Sequence, residues 1–257
     1  MHRSRFRLFL LTRLVVGMPL VATSETEAVE AWVITIDKTG SMTETTLSCN
    51  TSMTRCACAI QKAEAQIQSI FNGNPNAEVA VVTFGNPEVV AQNFTTNQAL
   101  VEAAVAGPCT SNTPLADAAC LAGDILGANY AGGGNTRSML LLTDGGENAS
   151  DGPCGVGDWQ DNVLTNLSST NNAVVDVGYF GAVGPISRSI DNEGGAIVRG
   201  ILPDAEFFQA LAAATGGSFT FFADSGASSV PALSAPGVAL LTLGFMAASA
   251  FLLWRRL

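Results

Sequence analysis

Trp32–Met42 is the stretch that most constrains what this chain can become. Val33, Ile34, Thr35 and Ile36 are apolar or β-branched, contain no Gly or Pro, and are too few for a helix. They predict a strand buried on both faces. The strand stops at Asp37. Asp37, Thr39 and Ser41 then place one carboxylate and two hydroxyls at alternate positions of a short loop loosened by Gly40. Three hard oxygen donors suit Mg²⁺, Mn²⁺ or Ca²⁺ in preference to a soft metal. The same residues also fit a plain helix cap, in which Asp37 or Ser41 accepts from the following backbone amides.

A strand buried on both faces needs helices on both sides, and the rest of the sequence supplies them. Ile60, Ala63, Ile67, Ile70 and Phe71 fall at helix-face spacing, stopped by Asn72–Pro75. Glu78–Phe84 is a second buried strand, and Val89–Phe94 a shorter one that pairs with it as an edge hairpin. Asn97–Ala106 reads as a short helix, and Leu115 to about Tyr130 as a longer one with Pro114 suited to its first turn. Ser138–Thr143 is a strand, Trp159–Ser168 a helix and Ala173–Phe180 a strand. Asp204–Thr215 is the last helix, with Asp204 as N-cap, and Ser218–Phe222 the last strand. Strands alternating with helices give an α/β fold: a doubly wound, mostly parallel sheet with helices on both faces. In such sheets ligands sit outside the carboxyl ends of the strands.

Two further segments belong at that edge. Thr113 precedes Pro114-Leu115 at the head of a helix, and Met139–Gly146 is a buried strand ending on Asp144. With Asp37, Thr39 and Ser41 these residues resemble the metal-ion-dependent adhesion site of the von Willebrand factor type A (vWA) family. That site is built from D-x-S-x-S, a distant T before P-L, and the D of a strand-end T-D-G. Thr39 stands where the family usually has Ser, which keeps the hydroxyl, and Asn112 where many members have Gly. The resemblance spans residues 32–224. It implies one antiparallel edge strand, and a divalent cation, Mg²⁺ or alternatively Mn²⁺ or Ca²⁺. Thr39, Ser41 and Thr113 would touch the cation directly, while Asp37 and Asp144 hold that shell and its waters. It further implies a protein partner that offers an accessible Asp or Glu. Glu44 and Glu147 match no position of the motif and are expected to be exposed.

The ends have different chemistry. Arg3, Arg5 and Arg7 precede an apolar run to Ala22, which marks residues 1–24 as a signal peptide. Residues 25–224 then form the domain, and 225–236 a small-residue, Pro-containing linker. Residues 237–257 begin with 18 uncharged residues, Gly237–Trp254, followed by Arg255-Arg256. At about 1.5 Å per residue that run spans roughly 27 Å, enough for a membrane helix with its basic end in the cytoplasm and the domain outside. The segment from Val230 onward is similar to IPTL-CTERM and PEP-CTERM sorting tails, so a retained anchor and a cleaved sorting signal are both open. Between residues 25 and 254 there are six basic residues against twenty-two acidic ones, a balance of −16 that repels nucleic acid.

Cys49, Cys56, Cys58, Cys109, Cys120 and Cys154 are an even set in an exported chain, and disulfides are expected with the pairing undetermined. All six lie in or near the segments of the metal-bearing rim. The single histidine, His2, lies in the expected signal peptide, so no Ser-His-Asp or Cys-His catalytic pair can form in the mature chain. Three functions follow in order of preference. The first is an exported, membrane-tethered module that binds a ligand through a metal and is not an enzyme. The second is a surface assembly component whose site is empty or purely structural. The third is a hydrolase.

Overall fold

The computed structural model describes residues 28–49, 53–85, 88–110, 112–132, 134–181 and 204–224. The expected signal peptide, residues 182–203, the linker and the C-terminal apolar run lie outside the described residues. Among the described residues no helix is long and apolar enough to cross a membrane.

In chain order the elements are β1 (Glu30–Asp37), a 3-10 turn (Gly40–Thr43), β2 (Thr45–Thr46), β3 (Met53–Thr54), α1 (Arg55–Gly73), β4 (Glu78–Phe84) and β5 (Val89–Thr95). Then come α2 (Gln98–Val105), α3 (Leu115–Tyr130), β6 (Thr136–Thr143), α4 (Trp159–Leu164) with a π-helical turn (Thr165–Thr170), β7 (Val174–Gly181), α5 (Asp204–Thr215) and β8 (Phe219–Ala223). The six long strands form one sheet in the order β5-β4-β1-β6-β7-β8. Only β4 and β5 pair antiparallel; every other neighbour is parallel.

The alternation of side chains across β1 divides the interior in two. Ala31 and Val33 face a core built with α3, α4 and α5, whereas Ile34 and Ile36 face one built with α1 and α2. The neighbouring strands follow the same rule: Val82 and Phe84 of β4 lie on the first side, Val79 and Val81 on the second. Parallel pairing aligns the strands in one direction, with Asp37 opposite Phe84 and Ile36 opposite Leu142. The loops that follow β1 and β6 therefore share one edge of the sheet.

Local chemistry sets the helix ends. The Thr54 hydroxyl accepts from the Ala57 amide to start α1, and Asn97 caps α2 through the amides of Ala99 and Leu100. Some expectations change. The polar stretch after Thr43 holds the small β2–β3 hairpin. Pro114 stands just ahead of α3 instead of in its first turn. The helix from Trp159 widens into the π-helical turn, where the Ser168 hydroxyl donates to the Leu164 carbonyl and competes with regular backbone pairing. Asp204 opens α5 but lends its carboxylate to the Gly146 amide, across a tight turn where Gly145 and Gly146 both have positive φ.

All six cysteines are paired, as Cys49–Cys58, Cys56–Cys109 and Cys120–Cys154. Two of these bridges fix the first turn of α1, one to the loop before it and one to the loop after α2. Loop closure predicts unequal contributions, since the sequence separations are 53 for Cys56–Cys109 and 9 for Cys49–Cys58. Replacing both members of the first pair by Ser should cost about 4 kcal/mol and of the second about 2.5 kcal/mol. Urea denaturation of the two double variants checks the order.

Candidate metal centre

Asp37 ends β1 in full burial. Its Oδ1 accepts from the Thr39 amide at 2.9 Å and its Oδ2 from the Thr143 hydroxyl at 2.8 Å. The register explains the second bond: β1 and β6 run side by side, so the last residue of β6 lies next to Asp37. From Thr39 a chain of hydroxyls leads across the rim. Thr39 Oγ1 lies 3.1 Å from Ser41 Oγ, and Ser41 Oγ donates to Asp144 Oδ1 at 3.0 Å. Because that bond uses the Ser41 proton, the Thr39 hydroxyl is the donor to Ser41. Asp37, Thr39, Ser41 and Asp144 are thus joined in one hydrogen-bonded series, of which Ser41 opens to solvent while Asp37 and Thr39 are buried.

Thr113 reaches the same rim through its backbone. Its amide donates to Asn148 Oδ1 at 3.1 Å and its carbonyl accepts from the Asn148 amide at 3.2 Å, which binds it to the loop after Asp144. The loop before it is tied to the first motif, where the Thr110 amide donates to the Lys38 carbonyl at 2.8 Å. Lys38 is itself a staple: its Nζ donates to the carbonyls of Val105 at 2.6 Å and Gly107 at 3.2 Å, a cation at the C-terminal end of α2. Burial lowers its pKa to about 8.

Glu147 corrects an expectation. It is half-buried, not exposed, and it organises the loop after Asp144. Its carboxylate accepts from the Ala116 amide at the start of α3, from the amides of Ala149 and Ser150, and from the Ser150 hydroxyl. Glu44 is exposed as expected, yet it pairs with Arg55 at 2.7 Å.

Two more participants escaped the sequence reading. Thr143 was visible beside Asp144 in the strand-end triplet, and its role needed only the parallel register. Arg55 gave one weak signal, as one of few cations in an acidic domain. It is buried at the head of α1 and contacts Asp144 Oδ2 at 2.7 Å, the Ser41 carbonyl at 3.4 Å, and both carboxylate oxygens of Asp224.

The electrostatics of this rim are unfavourable for bare carboxylates. Burial, and then the neighbouring Asp144 charge, push the Asp37 pKa up to about 7, against the pull of its bonds from Thr39 and Thr143. Burial likewise raises Asp144, although Ser41 and Arg55 favour its charged form. Burial opposes the charge on Arg55, but the hydrogen bond and charge of Asp224, then Asp144, hold it firmly ionised. Among the described residues no group of three or more His, Cys, Asp or Glu is arranged to hold a metal. The donor set is instead rich in hydroxyls around two carboxylates, all oxygen, which fits a hard divalent cation.

Known proteins define the class. Residues 32–147 match the family model of the von Willebrand factor type A domain. Among solved structures, the chain is similar to the VWA domain of SpRpn10, with 16% identity, a TM-score of 0.51, and coverage of 77% of this chain and 90% of that one. It is similar to the conserved hypothetical protein BatB from Bacteroides thetaiotaomicron, with 16% identity, a TM-score of 0.49, and coverage of 76% and 91%. A third is an aerotolerance-related membrane protein from Bacteroides fragilis, with 16% identity, a TM-score of 0.49, and coverage of 78% and 93%. No curated protein matches the chain. An α/β sheet in this strand order, with its loops gathered at the carboxyl edge, is a vWA-type fold. Over residues 32–147 the chain thus matches the von Willebrand factor type A family, and its described fold is of that type.

Thr143→Val keeps the β-branched shape and removes the hydroxyl that supports Asp37. The variant should lose about 1–3 kcal/mol of stability. Because that hydroxyl favours the charged carboxylate, the loss should be larger at pH 8 than at pH 5, on either side of the Asp37 pKa of about 7. Denaturant melts at the two pH values read this directly.

Proposed function

We propose that this protein is an exported, membrane-tethered vWA module that captures a ligand through a divalent cation held by Thr39, Ser41, Thr113, Asp37 and Asp144. The observation that carries the reading is the apposition of Asp37 and Asp144, two carboxylates with buried side chains, linked through Thr39 and Ser41, where the Asp144 charge adds to burial in raising the proton affinity of Asp37. A divalent cation relieves that repulsion. Held there, it would supply an electrophilic centre for a carboxylate from a partner. The exposure of Ser41 gives that position a route to solvent.

A protein partner with an accessible Asp or Glu fits such a site, and the acidic surface disfavours nucleic acid. Binding without turnover is the simpler chemistry, because the only histidine lies in the expected signal peptide. Export is supported by the three disulfides, which belong to an oxidising compartment. Tethering rests on the apolar run 237–254 and its basic end.

One observation favours the second reading, a surface component with an empty site. The Arg55 guanidinium already neutralises part of the Asp144 charge. Metal titration separates the two readings. Mg²⁺ or Mn²⁺ at about 100 times its Kd should stabilise the oxidised protein by about 2.7 kcal/mol over its state in EDTA, and Asp37→Ala should abolish the shift. A wild-type melting temperature indifferent to millimolar metal would favour the empty site.

The same carboxylate gives a pH dependence. A carboxyl raised from 3.8 to about 7 binds its proton more tightly in the folded state, so its contribution to stability is greatest at low pH and is lost as pH rises through about 7. In EDTA, wild type should lose stability relative to Asp37→Asn between about pH 4 and pH 7. Saturating metal, which needs the ionised form, should remove that decline. Thermal melts across pH with and without metal check both limbs.

A further inference from the structure

We infer that Arg55 sets the cation affinity of this site, that Asp224 opposes it, and that neither touches the cation; the inference rests on the metal reading above. Asp144 offers one oxygen to each side: Oδ1 faces Ser41 and the hydroxyl series, and Oδ2 faces the Arg55 guanidinium. A fixed positive charge therefore lies one carboxylate's width behind the site. Arg55 is 7% exposed, so its field is weakly screened by solvent. It acts in two directions at once. It holds the Asp144 carboxylate in place through Nη1, and it repels any cation that enters.

Asp224 balances that charge. Its two carboxylate oxygens accept from Nε and Nη2 of Arg55 in a two-point fork. Glu44 also reaches Nη2, but its side chain is 65% exposed, and its charge is largely spent on water. The backbone that carries the guanidinium is anchored at this point. The Arg55 amide donates to the Glu44 carbonyl at 2.7 Å, and the next residue, Cys56, is bridged to Cys109. The Asp224 backbone is fixed as well, by the hydrogen bond its amide donates to the Gly181 carbonyl and by its β-bridge to Thr46.

The two residues should therefore have opposite effects on metal affinity, which a merely structural brace would not produce. The measurement is Mn²⁺ binding to the full oxidised chain by calorimetry, with melting temperatures recorded with and without Mn²⁺. Arg55→Gln removes the repelling charge and should tighten the Mn²⁺ Kd about tenfold, whereas Asp224→Asn leaves the guanidinium unbalanced and should weaken it about tenfold. The double variant Arg55→Gln/Asp224→Asn, which removes both charges, should return close to the wild-type Kd.

Weakening by both single variants would overturn the inference and leave Arg55 as a brace. If Arg55→Gln fails to fold, the double variant decides: a Kd near wild type supports the charge balance, and one weaker than that of Asp224→Asn overturns it. Wild-type protein that binds no Mn²⁺ overturns the metal reading itself, a result distinct from any pattern among the variants.

Discussion

Parallel pairing of β1 with β6 is the constraint on which the rest depends. It brings the ends of two buried strands to the same edge, one closing on Asp37 and the other on Thr143-Asp144. Carboxylates in that position are expensive to bury, and the chain responds by supplying donors from every nearby segment. The Thr39 amide and Thr143 hydroxyl serve Asp37; Ser41 and Arg55 serve Asp144. The hairpin, the disulfides and the braced loop after Asp144 keep those donors in place.

That division of labour explains why the rim is so heavily tied down. Loops at the carboxyl edge of a parallel sheet have no neighbouring strand to order them, and an acidic surface adds self-repulsion. Each loop has its own restraint. Lys38 holds the end of α2, Cys56–Cys109 holds the head of α1, Glu147 gathers amides of its own loop and of the first turn of α3, and Asp204 takes the Gly146 amide. None of these contacts repeats another.

The sheet was readable from sequence because burial on both faces leaves uninterrupted apolar runs. Glu78–Phe84, Leu115–Tyr130 and Asp204–Thr215 have the bounds that their patterns predict. The order of motifs also pointed to the rim. What stayed hidden depends on contacts between distant residues. The disulfide pairing is a matter of three-dimensional proximity, and the β2–β3 hairpin consists of two residue pairs without a periodic signal. Glu147 looked like a surface acid because its amide partners carry no side-chain signature. Arg55 meets Asp224 across 169 positions, a separation that no local pattern can convey.

The Arg55–Asp224 fork also fixes how much chain is needed to make one site. The match to the vWA family model ends at residue 147, yet the carboxylate that balances Arg55 arrives at residue 224, after the last strand has joined the sheet. During synthesis the motif residues emerge early, while the charge that completes their surroundings comes last. A fragment cut at the family boundary would carry all five motif residues and lack the carboxylate that pairs with Arg55. The hydrogen-bonded surroundings of Asp144 thus extend well past the matched residues, to a carboxylate that the chain supplies only after its last described strand.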